Sequence, residues 1–98
     1  MKIKLTKADR EFARAVKERD GWVCRRCHKG YVPGSQGLHA AHIISRRHKA
    51  TRHDLGNALS LCFACHLWGH GSPIEFSDFV RRELGTKAYN ALRRKANA

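Results

Sequence analysis

Cys24-Arg25-Arg26-Cys27 and, after 34 further residues, Cys62-Phe63-Ala64-Cys65-His66 each carry two thiols at the Cys-x2-Cys spacing. That spacing makes a hook that offers two thiolates to one ion. Two such hooks supply a complete tetrahedral set, so the expected cofactor is a structural Zn2+ held by Cys24, Cys27, Cys62 and Cys65, with no open coordination position. One ion would close residues 28–61 into a loop and tie the N-terminal knuckle to a short helix near 63–70.

A staple is needed because the chain has only 98 residues, 42% hydrophobic and 8% aromatic, too little for a large core. The charge is lopsided, with Lys+Arg 20 against Asp+Glu 8, a formal net of +12. Between Gly21 and His53 no acidic residue occurs, while Arg25, Arg26, Lys29, Arg46, Arg47, Lys49 and Arg52 all stand there. A field of this sign selects polyanions, so nucleic acid is the expected partner and binding should weaken with salt. No apolar run approaches the roughly 18 residues of a membrane span, and MKIKLTKADRE lacks the apolar run of a secretory signal. The expectation is a cytoplasmic protein with no membrane partner, in which the thiols stay reduced and bind metal.

Outward from the cysteine pairs, the sequence predicts a helix over 6–19, started by Thr6 with Asp9 three residues on, buried through Phe12 and Val16, and ended by Gly21. Tyr31-Val32 and the run Leu38 to Ser45, joined through Pro33-Gly34-Ser35-Gln36-Gly37, predict two short strands in a hairpin. Residues 46–56 have neither period and read as a long exposed loop of the kind that carries function. Ser72-Pro73-Ile74-Glu75 predicts a capped helix to Leu84 with Phe76, Phe79, Val80 and Leu84 buried; Gly85 stops it, and a last helix begins at Thr86 with Tyr89 and Leu92 inside. Leu61, Phe63 and Leu67 read as core, and Trp68 as packing on the Pro73 segment or stacking on a base. The expected fold is α+β, one small domain: an N-terminal helix (6–20), a zinc-stapled core (21–71) and C-terminal helices (72–98).

Within this frame stand His39-Ala40-Ala41-His42-Ile43, then Asn57, then Cys62-x2-Cys65-His66 with His70 one turn further on. The ordered string AHIISRR…NALSLCFACH resembles the HNH endonucleases, whose ββα-metal motif reads His-Ile on a strand, Asn before the second knuckle and Cys-x2-Cys-His on the helix. The likeness spans Cys24 to His70, about half the chain. It implies a ββα-metal core and hydrolysis of DNA phosphodiester bonds, nicking or cleaving to leave 5′-phosphate and 3′-hydroxyl ends. It also implies His42 as general base, Asn57 as the residue that fixes the base and its strand, and His66 as ligand of a catalytic divalent metal. The chemistry suits these residue types: hydrolysis needs a base near neutral pKa and a cation for the charge on the phosphorane and leaving oxygen. Many family members carry a second ligand immediately before the base, where this chain has Ala41. His39, two residues earlier on the same strand face, and His70, at i+4 from His66, are the two candidates to replace it. Imidazole donors favour Zn, Ni, Co or Mn over Mg.

Arg46, Arg47, Lys49 and Arg52 follow the base directly and are expected to clamp phosphates. The C-terminal helices loosely resemble the tail of small phage and prophage HNH proteins; their stripes say packing, and Arg81, Arg82, Arg93, Arg94 and Lys95 say a second DNA surface. One metal site cuts one strand per visit, so a double-strand cut would take a homodimer, two events or a partner phage protein. The rivals are a zinc-knuckle DNA-binding module without catalysis, which needs none of His42, Asn57 or His66, and a nuclease directed at RNA.

Overall fold

In the computed structural model, which describes residues 4–97, helix α1 (Lys7–Arg19) begins where Thr6 and Asp9 exchange hydrogen bonds as a capping box. Strand β1 (Leu38–His42) and strand β2 (Ala58–Cys62) form an antiparallel two-stranded sheet, and helices α2 (Phe63–Gly71), α3 (Pro73–Leu84) and α4 (Thr86–Ala96) follow. The result is a small α+β fold of four helices and one two-stranded sheet among the described residues. None of these helices is long and apolar enough to cross a membrane.

The sheet pairs Leu38 with Cys62, Ala40 with Ser60 and His42 with Ala58. The partner of β1 is therefore not Tyr31-Val32, as the expected hairpin had it, but residues 58–62. Tyr31 turns back instead on the first knuckle, where its amide donates to the Trp22 carbonyl at 2.8 Å and Val23 bridges Gly30. The reason β2 is hard to see is physical: Ala-Leu-Ser-Leu-Cys is buried at every position, so it has no alternation of apolar and polar residues. The first strand also ends at His42 rather than Ser45, although the Ile43 amide still donates to the Asn57 carbonyl at 2.9 Å.

Two clusters form the core. Phe12 and Val16 of α1 pack on Ala58 and Ala40. Leu38, Ala41, Leu59 and Leu61 join Trp22, Phe79 and Val80 in the larger one, which also takes in Cys24, Cys62 and Cys65. Among the three positions expected in the core, Leu61 is fully buried, but Phe63 and Leu67 are 63% and 59% exposed. Helix α2 turns Cys65 and Trp68 inward, and the 63–67 stripe lies on the opposite side. Trp68 packs against α3 as expected, with ring centroids 6.4 Å from Phe76 and 6.1 Å from Phe79. The two helices approach so closely that a Cβ on Gly69 would lie 2.8 Å from the Phe76 ring.

Helix α3 starts at Pro73 without the side-chain cap that Ser72 and Glu75 suggested. Ser72 ends α2 and starts α3 at once, and its ψ of 66° is far from the extended value that aims a cap hydroxyl down the helix. Gly85, at φ 85°, separates α3 from α4, a backbone angle that side chains resist. The C-terminal helices serve packing through Phe79, Val80 and Leu92, while Arg81, Arg82, Arg93 and Arg94 remain exposed.

A buried carboxylate ties the pieces together. Asp20, just after α1, accepts from the Ser60 amide at 2.9 Å, from Arg19 Nε at 2.9 Å and from Arg25 Nη1 at 2.8 Å, and Arg25 reaches on to Glu83 of α3 at 3.2 Å. Arg25 is thereby committed inside the fold. Arg26 stays exposed but lies across the fold's surface, its guanidinium 3.6 Å from the Trp68 ring centroid and 3.5 Å from Cys65 Sγ.

Candidate active site and cysteine cluster

The thiol sulfurs of Cys24, Cys27, Cys62 and Cys65 all lie within 4.8 Å of one another. Cys27 Sγ and Cys62 Sγ are 3.7 Å apart, close to the ~3.8 Å edge of a tetrahedron built on ~2.3 Å Zn–S bonds. The two hooks thus converge as their spacing suggested and can hold a zinc ion. Positive φ at His28 lets the first knuckle close, with its amide donating to the Cys24 carbonyl at 2.9 Å. Burial pushes the Cys24 thiol up, but hydrogen bonds from the backbone of Cys27, Cys62 and Arg26 outweigh it and bring it down to about 6. Burial carries Cys65 the other way, up to about 12, with Cys62 and Cys24 adding to the rise. Four thiolates at this range repel one another, so full ionisation calls for a cation among them.

A second group of donors gathers on β1 and along α2. His39 Nδ1 lies 2.9 Å from His66 Nδ1, and the His66 and His70 rings are 4.8 Å apart. Both candidates for a second ligand therefore stand beside His66, one from the strand and one from the helix. A cis pair of donors at ~2.1 Å from an ion would be separated by ~3.0 Å, which the His39–His66 pair matches. Burial, followed by the neighbouring His70, His39 and His42, lowers His66 to about 4 and leaves its imidazole neutral, the form that ligates. Ala41, immediately before His42, is in the core at 1% exposure and offers no donor.

His42, His66, His70 and Arg46 line one cavity of about 350 Å³ together with Ala40 and Ser45. His42 Nε2 lies 3.0 Å from the Arg52 carbonyl oxygen. A carbonyl only accepts, so Nε2 carries the proton and Nδ1 keeps the lone pair. Burial holds the His42 pKa below its ordinary value, opposed by the bond to the Arg52 carbonyl, so the ring is neutral at pH 7.

Asn57 does not reach this cavity. Fully buried, it donates through Nδ2 to the carbonyls of Ile44 at 2.9 Å and Thr51 at 3.0 Å, and its Oδ1 accepts the Ile44 amide at 2.8 Å. It pins the two ends of the loop that follows His42, which includes Arg52.

The four expected phosphate clamps separate into two kinds. Arg46 is half-buried at the cavity, Arg47 and Lys49 are exposed, and none of them has an acidic partner among the described residues. Arg52 is instead held by Asp9, with Nε 2.9 Å from Oδ1 and Nη2 on Oδ2. Asp9 and Phe12, whose ring lies 5.3 Å from that of His42, escaped the sequence reading because a helix cap and a core aromatic give no signal of a site. Compared with protein-family models, with curated proteins and with solved structures, the chain matches none.

Proposed function

We propose that the chain is a metal-dependent endonuclease of the HNH type that hydrolyses DNA phosphodiester bonds. The observation that carries the reading is the shared cavity of His42, His66, His70 and Arg46, in which His42 has its Nε2 bonded to a carbonyl and its Nδ1 lone pair free. A lone pair of that kind accepts the proton of an attacking water. His66 with His39 or His70 would hold a divalent ion, which when bound supplies charge neutralisation for the pentacovalent phosphorus and the leaving 3′-oxygen. Arg46 adds a fixed positive charge at the cavity wall, suited to a non-bridging phosphate oxygen. Arg47 and Lys49, exposed on the same loop, extend the cationic surface along the backbone of the nucleic acid. Asn57 keeps this loop closed on His42, and a zinc held by the four cysteines would join α2 and the knuckle as one unit.

The test is cleavage of supercoiled plasmid by zinc-loaded protein with Mg, Mn, Ni or Co added in turn, beside His42→Ala. Nicking by the wild type alone, strongest with an ion that accepts imidazole, is the expected result. Salt-sensitive DNA binding without cutting under any ion would overturn the reading in favour of a binding module, and faster turnover of RNA would redirect it to that substrate.

A further inference from the structure

Asp9 is 6% exposed and serves far more partners than a helix cap requires. The Thr6 amide and hydroxyl donate to its Oδ2 at 2.8 and 3.0 Å, Arg52 grips both oxygens, and His53 Nε2 lies 2.8 Å from Oδ1. The Arg52 grip is the two-pronged kind in which a planar guanidinium matches a carboxylate, so it fixes orientation as well as distance. The main chain of the same Arg52 provides the carbonyl that accepts from His42 Nε2 at 3.0 Å. Phe12, one turn along α1 from Asp9, stacks beside His42 at 5.3 Å. Helix α1 therefore meets His42 by two routes, a ring against its face and a carboxylate acting through Arg52.

We propose that Asp9 is a positioning residue for His42: by holding the Arg52 side chain it keeps the Arg52 carbonyl on Nε2, so that the Nδ1 lone pair stays turned to the cavity. The catalytic half of this inference rests on the reading of His42 as the base. The geometric half, that Asp9 determines which His42 nitrogen is protonated, stands independently of any activity. Arg52 is then a link between helix and base and not a phosphate ligand, because its guanidinium is already matched to a carboxylate. A plain capping role would require only Thr6.

The experiment uses the full zinc-loaded chain as wild type, Asp9→Asn and Arg52→Lys. Asp9→Asn keeps an acceptor for Thr6 but loses the charged fork, and Arg52→Lys keeps both the charge and the capping box while losing the second prong. Long-range 1H–15N spectra of the imidazoles at about pH 8, where histidine is neutral, report the tautomer directly. The wild type should show His42 as a single Nε2–H form, and both variants a mixture. Single-turnover nicking at saturating protein should fall roughly tenfold to a hundredfold in both, the scale of loss expected when a reacting group is misplaced. DNA affinity should not fall with it. A tautomer unchanged in both variants overturns the proposal, even if nicking slows. Should the wild type cut nothing under any ion, the tautomer shift alone supports Asp9 as the residue that orients His42, and the nuclease reading is what fails. If Asp9→Asn does not fold, Arg52→Lys decides the question.

Discussion

His39 and His66, 27 positions apart, bring their Nδ1 atoms to 2.9 Å across the junction of strand and helix. Two ring nitrogens at this distance either share one proton or share one cation. With His66 lowered to about 4 by burial and its histidine neighbours, the pair is suited to a metal. His66→Ala should abolish binding of Ni or Co at this site. His39→Ala should weaken it by roughly tenfold or more, the scale seen when the surroundings of a ligand are altered. Calorimetric titration of the zinc-loaded protein checks both, and a His39→Ala variant with unchanged affinity would hand the second position to His70.

The cysteine cluster should govern folding. Zinc binding of this type is worth about 10–16 kcal/mol, as large as the whole stability of an ordinary domain at about 5–15 kcal/mol. Removal of the ion by a strong chelator, or Cys62→Ser, is expected to abolish the cooperative thermal transition. Metal analysis should find one zinc per chain bound through sulfur. A sharp transition surviving in the chelated protein would contradict this.

Asp20 lies at the junction of α1, the first knuckle and β2, with its side chain 1% exposed. Burial raises its pKa, yet Arg19, Ser60 and Arg25 together hold it below the ordinary 3.8. A carboxyl depressed in the native state stabilises fully above its unfolded value and loses that contribution as pH falls through the native one. Asp20→Asn should therefore be less stable at pH 7, by about 3 kcal/mol for a broken buried pair. Its stability should also fall less steeply than that of the wild type below pH 4. Urea unfolding at a series of pH values measures both slopes.

Gly69→Ala would set a methyl group 2.8 Å from the Phe76 ring and push α2 from α3. The expected cost is about 1–3 kcal/mol, typical of overpacking. Because Trp68 packs on Phe76 and Phe79, its fluorescence should shift as well. A variant as stable as the wild type would show that the two helices slide freely.

Binding of DNA should weaken linearly on a plot of log affinity against log salt. Replacing Arg47 and Lys49 by Ala should lower the magnitude of that slope by roughly 0.9 for each phosphate that is no longer neutralised. An unchanged slope would remove this loop from the DNA surface.

Local chemistry is readable from the chain alone. Thr6 with Asp9, Pro73 and Gly85 mark helix ends through interactions of a few residues, and the elements begin and end there. Each Cys-x2-Cys hook carries its own geometry, so the two pairs could be expected to serve one ion, and the fold brings their four sulfurs together. The approach of His70 to His66 follows from the helix period, whereas His39 comes beside His66 only through the packing of β1 against α2.

What lies beyond the sequence depends on the meeting of distant segments. Strand β2 is buried throughout and so has no alternation, and only the sheet register identifies it as the partner of β1. Phe63 and Leu67 read as core residues because hydrophobicity says nothing of which side of α2 meets the sheet. Nothing local to Arg52 reveals that it pairs with Asp9, 43 positions away. Composition and spacing marked Cys24, Cys27, Cys62 and Cys65 as a set that could hold a metal. Packing settled which of the charges are spent inside the fold and which face solvent, since a guanidinium is free or paired only once another chain segment has been folded against it.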